Sequence, residues 1–164
     1  MLSFAYFELI SSVMTIDSEH ALKHKTLSIN CVVPMHTDDE NSTAFLDALS
    51  TKLANITDHF LIIMIDDGSR DNNLAIAQSY ASQPHFGLLS LSRNFGKEAA
   101  LTAGLAHTDA DVTIIIDADF QHPIDIIDEF LTQWTQGYDM VYGIRQDRDD
   151  ESFLKRTFSC IFYG

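Results

Sequence analysis

From residue 27 onward, short apolar runs alternate with longer segments whose apolar residues recur at helical spacing. Runs at 27–33, 60–65, 86–91 and 112–116 read as buried strands, and 139–143 as a short fifth. Between them, 41–54 puts Phe45, Leu46, Leu49 and Leu53 on one helical face. Asp71 is placed to cap a helix running to about 82, and 96–107 is an Ala- and Leu-rich helix. Pro123 suits the first turn of a helix that reaches about 135 and stops at Gly137. A helix between two strands carries the chain back to its starting edge, so the strands pair in parallel. The expected fold is α/β: a mostly parallel sheet with helices on both faces.

In such a sheet the carboxyl ends of the strands share one edge, and ligands bind outside it. The polar clusters of this chain fall at those ends: 34–38, 66–69, 92–97, 117–122 and Arg145. After the run at 112–116 come Asp117, Ala118, Asp119, Phe120 and Gln121. Side chains alternate along extended backbone, so Asp117, Asp119 and Gln121 can share one side. Two carboxylates and an amide oxygen suit a hard divalent cation, Mg²⁺ or Mn²⁺, and such an ion can neutralise a diphosphate.

The other clusters each carry a functional and a structural reading. Asp66, ending the run at 60–65, can accept a hydrogen bond from the ring N–H of a uracil or guanine, whereas Asp67, Gly68 and Ser69 are turn chemistry. Arg93, Asn94 and Lys97 enter a helix through Gly96, either to meet phosphate at the helix N-terminus or as an ordinary capped loop. Arg145 can clamp phosphate with its guanidinium. His122 precedes Pro123 and reads first as packing.

A length of 164 residues suits one domain with a real core. The net charge of −14 argues against a nucleic-acid surface and makes an anionic substrate awkward without a cation or well-placed arginines. The two cysteines, Cys31 and Cys160, form neither a disulfide framework nor a zinc spacing. The sequence has no run of about 18 apolar residues that would span a bilayer. Residues 1–26 read as an N-terminal extension, partly disordered. The first thirteen lack the basic start and cleavage site of a secretion signal, and either Met1 or Met14 can be the true start. In 151–163, Phe153, Leu154, Phe158, Ile161 and Phe162 fall on one helical face with Lys155 and Arg156 away from it. That is the pattern of an interfacial helix on an anionic membrane, or of a helix packed on protein beyond this chain.

Taken together, VVP (32–34), IDDGSRD (65–71), LSRNFGKEAALTAGL (91–105), DADFQHP (117–123), YDMVYGIR (138–145) and DRDDESFLKR (147–156) resemble family-2 glycosyltransferases. The similarity covers roughly 27–164 and is nearest to the polyprenyl-phosphate branch, which includes dolichyl-phosphate mannosyltransferase and undecaprenyl-phosphate sugar transferases. The resemblance implies a GT-A fold and a metal-dependent, inverting transfer of sugar from a nucleotide diphosphate sugar to a polyprenyl phosphate at the cytosolic membrane face. It assigns Pro34, His36, Asp38, Met64 and Asp66 to the nucleoside, and Asp117, Ala118 and Asp119 to the diphosphate sugar. It assigns Asp119 and Gln121 to the metal and Arg145 to phosphate, so that Asp117, Asp119 and Arg145 carry the catalysis. Where the family has Tyr-Asn-Glu, this chain has His36-Thr37-Asp38, which keeps a ring and an acid but shortens the acid by one methylene.

The implied organisation is an extension at 1–26, a nucleotide-sugar-binding domain at 27–145, and the start of an acceptor-side, juxtamembrane segment at 146–164. Family members continue past this point, so the chain reads as C-terminally truncated. Self-association through that further segment is left open. Three alternatives stand beside the enzyme reading. One is a remnant that binds nucleotide without turnover, and another is a phospho-receiver domain. The receiver needs a lysine at its last strand, where this chain has Arg145. The third, a phosphatase of the Asp-x-Asp type, carries that motif on its first strand, which this chain does not.

Overall fold

The computed structural model describes residues 4–8, 27–35, 41–69, 72–118, 123–144 and 160–163. Strands β1 (Phe4–Glu8), β2 (Ser28–Met35), β3 (His59–Asp66), β4 (Phe86–Ser90), β5 (Val112–Ile115), β6 (Met140–Ile144) and β7 (Cys160–Tyr163) form one sheet in the order β1-β6-β7-β5-β2-β3-β4. Helices α1 (Ser42–Ile56), α2 (Asn72–Ala81), α3 (Lys97–Leu105) and α4 (Ile126–Thr135) connect them. The strands β5-β2-β3-β4 pair in parallel, whereas β7 runs antiparallel between β5 and β6.

The chain steps outward from β2 to β3 to β4, then returns through α3 to place β5 on the other side of β2. Crossovers of this kind are right-handed, so a reversal of direction moves the connecting helix to the opposite face. The packing agrees. Phe45, Leu46, Leu49 and Leu53 of α1 join Ala77 and Tyr80 of α2 and Ile127 and Phe130 of α4 in one core cluster. Ala100 of α3 packs with Val32, Ile63, Ile65 and Ile115 in the other. Period-two alternation divides β2 between them: Ile29, Cys31 and Val33 face the first cluster and Val32 the second. Cys31 is wholly buried, and burial pushes its thiol pKa up, which makes it an inert core residue. On the first face Lys52 of α1 donates to Asp125, just before α4, and to Asp128 within it, tying the two helices together.

Two of the structure's strands lie in the segments read as flanking the domain. Phe4–Glu8 pairs in parallel with β6, from Phe4 opposite Met140 to Glu8 opposite Ile144. The helix expected over 151–163 is corrected at its end, because 160–163 is strand β7. Its four residues pair with Val112–Ile115 on one side and reach Met140 to Tyr142 on the other. The reason is ambiguity of period: Phe158, Ile161 and Phe162 fit a helical face, but a short apolar run cannot be told from a strand by spacing alone. A gap between two strands satisfies the backbone of a strand on both edges, which a helix there would leave unpaired. The rest of the expected helix, with Phe153, Leu154 and Phe158, lies outside the described residues.

Gly104 sets the distance between α3 and the sheet. A Cβ there would sit 2.6 Å from Cγ1 of Val32 and 3.0 Å from Cδ1 of Ile65. Alanine favours a helix over glycine by about 1 kcal/mol, but overpacking a core costs about 1–3 kcal/mol. The expected net effect of G104A is a loss of about 1 kcal/mol, lowering the melting temperature by roughly 2–4 °C. V32A in the same background should recover part of the loss by vacating the contact. A melting temperature for G104A at or above that of the parent would show that the helix stands farther off.

Candidate nucleotide-sugar site

The carboxyl ends of the parallel strands carry the polar residues picked out from the sequence. On its β3 side, β2 stays paired through Pro34 opposite Ile65 and Met35 opposite Asp66. On its β5 side the register ends at Val32 opposite Ile115, with one further bond from the Ile116 N–H to the Val32 carbonyl at 3.2 Å. The two strands therefore part beyond Val32, at the point where the strand order reverses. In open α/β sheets this is where ligands bind. Pro34 and Met35 bound the opening on one side, Asp117 and Ala118 on the other.

Asp66 and Asp117 meet this edge from opposite faces. Asp66 continues the alternation of Ile62 and Met64, and so lies on the side of α1 and α2. It is 1 % exposed. Its Oδ1 accepts from the Ser69 N–H at 2.9 Å and its Oδ2 from the Ser90 hydroxyl at 2.7 Å. Asp66 thus closes the turn at 66–69, and each oxygen keeps a second lone pair for a further donor. Asp117 lies on the α3 side, two residues beyond Ile115. It is 7 % exposed, and its Oδ2 accepts from Nζ of Lys97 at 2.7 Å. Its Oδ1 is buried and has no hydrogen-bond partner among the described residues.

Asp67 latches the two neighbouring loops. Its Oδ1 accepts from the Phe95 N–H and its Oδ2 from the Gly96 N–H, both at 2.8 Å. Gly68 has φ +70, and a Cβ on it would lie 2.4 Å from the Arg93 carbonyl carbon, so only glycine lets the loops close together. The structural reading of 67–69 therefore holds. Of the 92–97 segment, Arg93 stacks its guanidinium 4.8 Å from the centre of the Phe95 ring, Asp67 caps the loop amides, and Lys97 turns to Asp117.

The remaining expected site residues divide into three groups. Pro34 and Ala118 are buried at the opening. Met64 is fully buried in the first core cluster, so its side chain packs rather than faces the opening. His36, Asp38, Asp119, Gln121 and Arg145 lie outside the described residues, as does His122. Among the described residues no three His, Cys, Asp or Glu side chains gather to hold a metal. The donors expected at 119 and 121 are hard oxygens that follow directly on the buried Asp117, which fits a hard cation rather than a thiophilic one. Sequence reasoning missed two pairings: Ser90 with Asp66, and Lys97 with Asp117. Each joins residues twenty or more apart, and no local signal marks them.

Residues 31–162 match glycosyl transferase family 2, and the chain belongs to that family. It is 35 % identical over 139 residues to an uncharacterised glycosyltransferase of Synechocystis, covering 84 % of this chain and 44 % of the relative. To the uncharacterised glycosyltransferase YkcC of Bacillus subtilis it is 28 % identical over 138 residues, covering 84 % and 43 %. The chain thus spans less than half the length of these two relatives. Its fold is similar to that of the mannosyltransferase PcManGT of Pyrobaculum calidifontis, solved with GDP-Man and Mn²⁺. The TM-score is 0.60 and the identity 20 %, with 75 % of this chain and 37 % of the other covered. It is likewise similar to glucosyl-3-phosphoglycerate synthase of Mycobacterium tuberculosis, solved with UDP. There the TM-score is 0.60 and the identity 18 %, with 90 % and 53 % covered. The architecture is the GT-A fold, as the sequence motifs imply. Family membership sets aside the phospho-receiver and phosphatase alternatives.

The Asp67 latch is open to direct measurement. Hydrogen bonds to a charged acceptor contribute about 1.5–3 kcal/mol each when well formed. Half-exposed as it is, the pair should cost about 2 kcal/mol when D67A removes it, measured by urea unfolding. Amide exchange at Phe95 and Gly96 should accelerate in step. Unchanged exchange at those two amides would show that the latch does not form.

Proposed function

We propose that the chain is the donor-binding part of an inverting glycosyltransferase that moves a sugar from a nucleotide diphosphate sugar to a polyprenyl phosphate. The observation that carries this reading is the buried Asp117, with one oxygen unpartnered among the described residues, at the switch point of a GT-A sheet. Family membership, and the nucleotide ligands named for the two similar structures, support the donor class. Pro34, His36, Asp38, Met64 and Asp66 serve the nucleoside, Met64 through its position on β3 rather than through its buried side chain. Asp117, Ala118 and Asp119 serve the diphosphate sugar, and Arg145 holds phosphate.

Electrostatics favours a cation. Asp66, Asp67 and Asp117 stand at this edge on a chain of net charge −14, and Lys97 is already paired. A nucleoside diphosphate entering such a field needs its charge offset locally. Asp119 and Gln121 would hold Mg²⁺ or Mn²⁺, which would supply positive charge for the departing diphosphate. The acceptor phosphate is already an anionic nucleophile, so no strong general base is needed. Its oxygen forms the new bond to the anomeric carbon from the side opposite the nucleoside diphosphate. The bond to that group breaks, and the electron pair leaves with it. What the protein supplies is alignment of the reacting atoms and electrostatic complementarity.

A polyprenyl phosphate acceptor places the reaction at the cytosolic membrane face. Among the described residues no helix is long and apolar enough to cross a membrane.

Calorimetric titration of the full-length protein with UDP and GDP, with and without Mn²⁺, tests the reading. One nucleotide should bind with manganese-dependent affinity and, at a hundredfold its Kd, stabilise the fold by about 2.7 kcal/mol. D119A should abolish the manganese dependence and slow transfer by more than the roughly 10- to 100-fold typical of residues that act through a ligand. No manganese-linked uptake of either nucleotide would sink the proposal. Transfer to 3-phosphoglycerate in preference to polyprenyl phosphate would leave the donor site standing and replace the acceptor.

A further inference from the structure

Lys97 has no part in the nucleotide-sugar site as described so far, yet it makes the ion pair nearest its centre. Among the described residues Asp117 has the only buried carboxylate oxygen without a hydrogen-bond partner. The other oxygen of the same group is held by Nζ of Lys97 at 2.7 Å. The two partners are unequally exposed: the side chain of Lys97 is 41 % exposed and that of Asp117 is 6 %. An ammonium that keeps much of its water gains little stability from such a pair. The carboxylate, cut off from solvent, depends on it.

Lys97 is itself held in place. It is the first residue of α3, and the N–H of Gly96 before it is bound by Asp67 at 2.8 Å. A continuous chain of contacts therefore runs from the end of β3, through the Asp67 latch and the start of α3, to the end of β5. It passes over the α3 face of the central strand and ends on one particular oxygen of one carboxylate.

We propose that Lys97 is a positioning residue for donor binding. By occupying Oδ2 it fixes the Asp117 carboxylate in a single orientation and leaves Oδ1 as the acceptor for a hydroxyl of the bound nucleotide sugar. Lys97 touches neither the sugar nor the phosphates; it acts through Asp117. The inference rests on the nucleotide-sugar reading above.

The test is calorimetric titration of UDP-glucose and GDP-mannose, each with Mn²⁺, into the full-length wild type, K97M and K97R, with thermal melts of all three. K97M keeps the aliphatic stem and removes the charge. It should weaken binding of the preferred nucleotide sugar by about 10- to 100-fold, the range for partners that orient a ligand-binding group, and lower the melting temperature, since it leaves the buried Asp117 carboxylate unpaired. K97R should restore most of the affinity, because a guanidinium can also hold Oδ2. K97M binding as tightly as wild type would overturn the inference. So would a K97R variant that recovers the melting temperature but not the affinity, since the lost binding would then not come from holding Oδ2. Wild type that takes up neither nucleotide sugar would overturn the donor-site reading and this inference with it. That failure shows in the wild-type titration alone, so the two are distinguishable.

Discussion

The central strand β2 is paired in parallel on both edges, and the rest of the molecule is arranged around that constraint. A strand buried on both faces has no water to satisfy its N–H and C=O groups, so both neighbours must be present. β3 supplies one edge along the whole strand, and β5 supplies the other only as far as Val32. Where β5 turns away, the sheet can no longer close over itself. The opening at Pro34, Met35, Asp117 and Ala118 is therefore a consequence of how the core is built. The proposed site occupies the place where the hydrogen-bonded ladder ends.

The loops around this opening are held by charge rather than by apolar packing. Asp67 gathers two amides of the neighbouring loop, Asp66 ties its own turn to β4 through Ser90, and Asp117 is paired with Lys97. A buried or half-buried acid satisfied by fixed donors is oriented as well as charged. The cost is a strongly negative edge, with Lys97 already committed. Under the proposed reading, an anionic donor entering this edge would have its charge offset by a divalent cation.

Much of the fold was legible because its periods are unambiguous. Phe45, Leu46, Leu49 and Leu53 can lie together only on a helix, and all four are fully buried in α1. The apolar runs before Asp66 and Asp117 suit strands buried on both faces, and both lie as inner strands of the sheet. The tail was not legible, since Ile161 and Phe162 satisfy either period and the decision rests on a gap left by β5 and β6. β1 was missed because an edge strand pairs on one side only, and its partner lies more than a hundred residues away. At Met64 the motif marked a position for the site, while alternation along β3 sends its side chain into the core.

Sequence alone determined which segments are strands and helices across 27–143, that their polar ends share an edge, and which family these motifs belong to. Those properties are local: they follow from apolar period, turn chemistry and short motifs, each readable within about a dozen residues. Only tertiary structure decided that β7 fills the space between β5 and β6, that Asp66 and Asp117 approach the edge from opposite faces, and that Lys97 holds one oxygen of Asp117. These depend on strand order and on the face α3 takes, and a linear pattern carries neither, because both are set by how remote segments satisfy one another's backbone and charge.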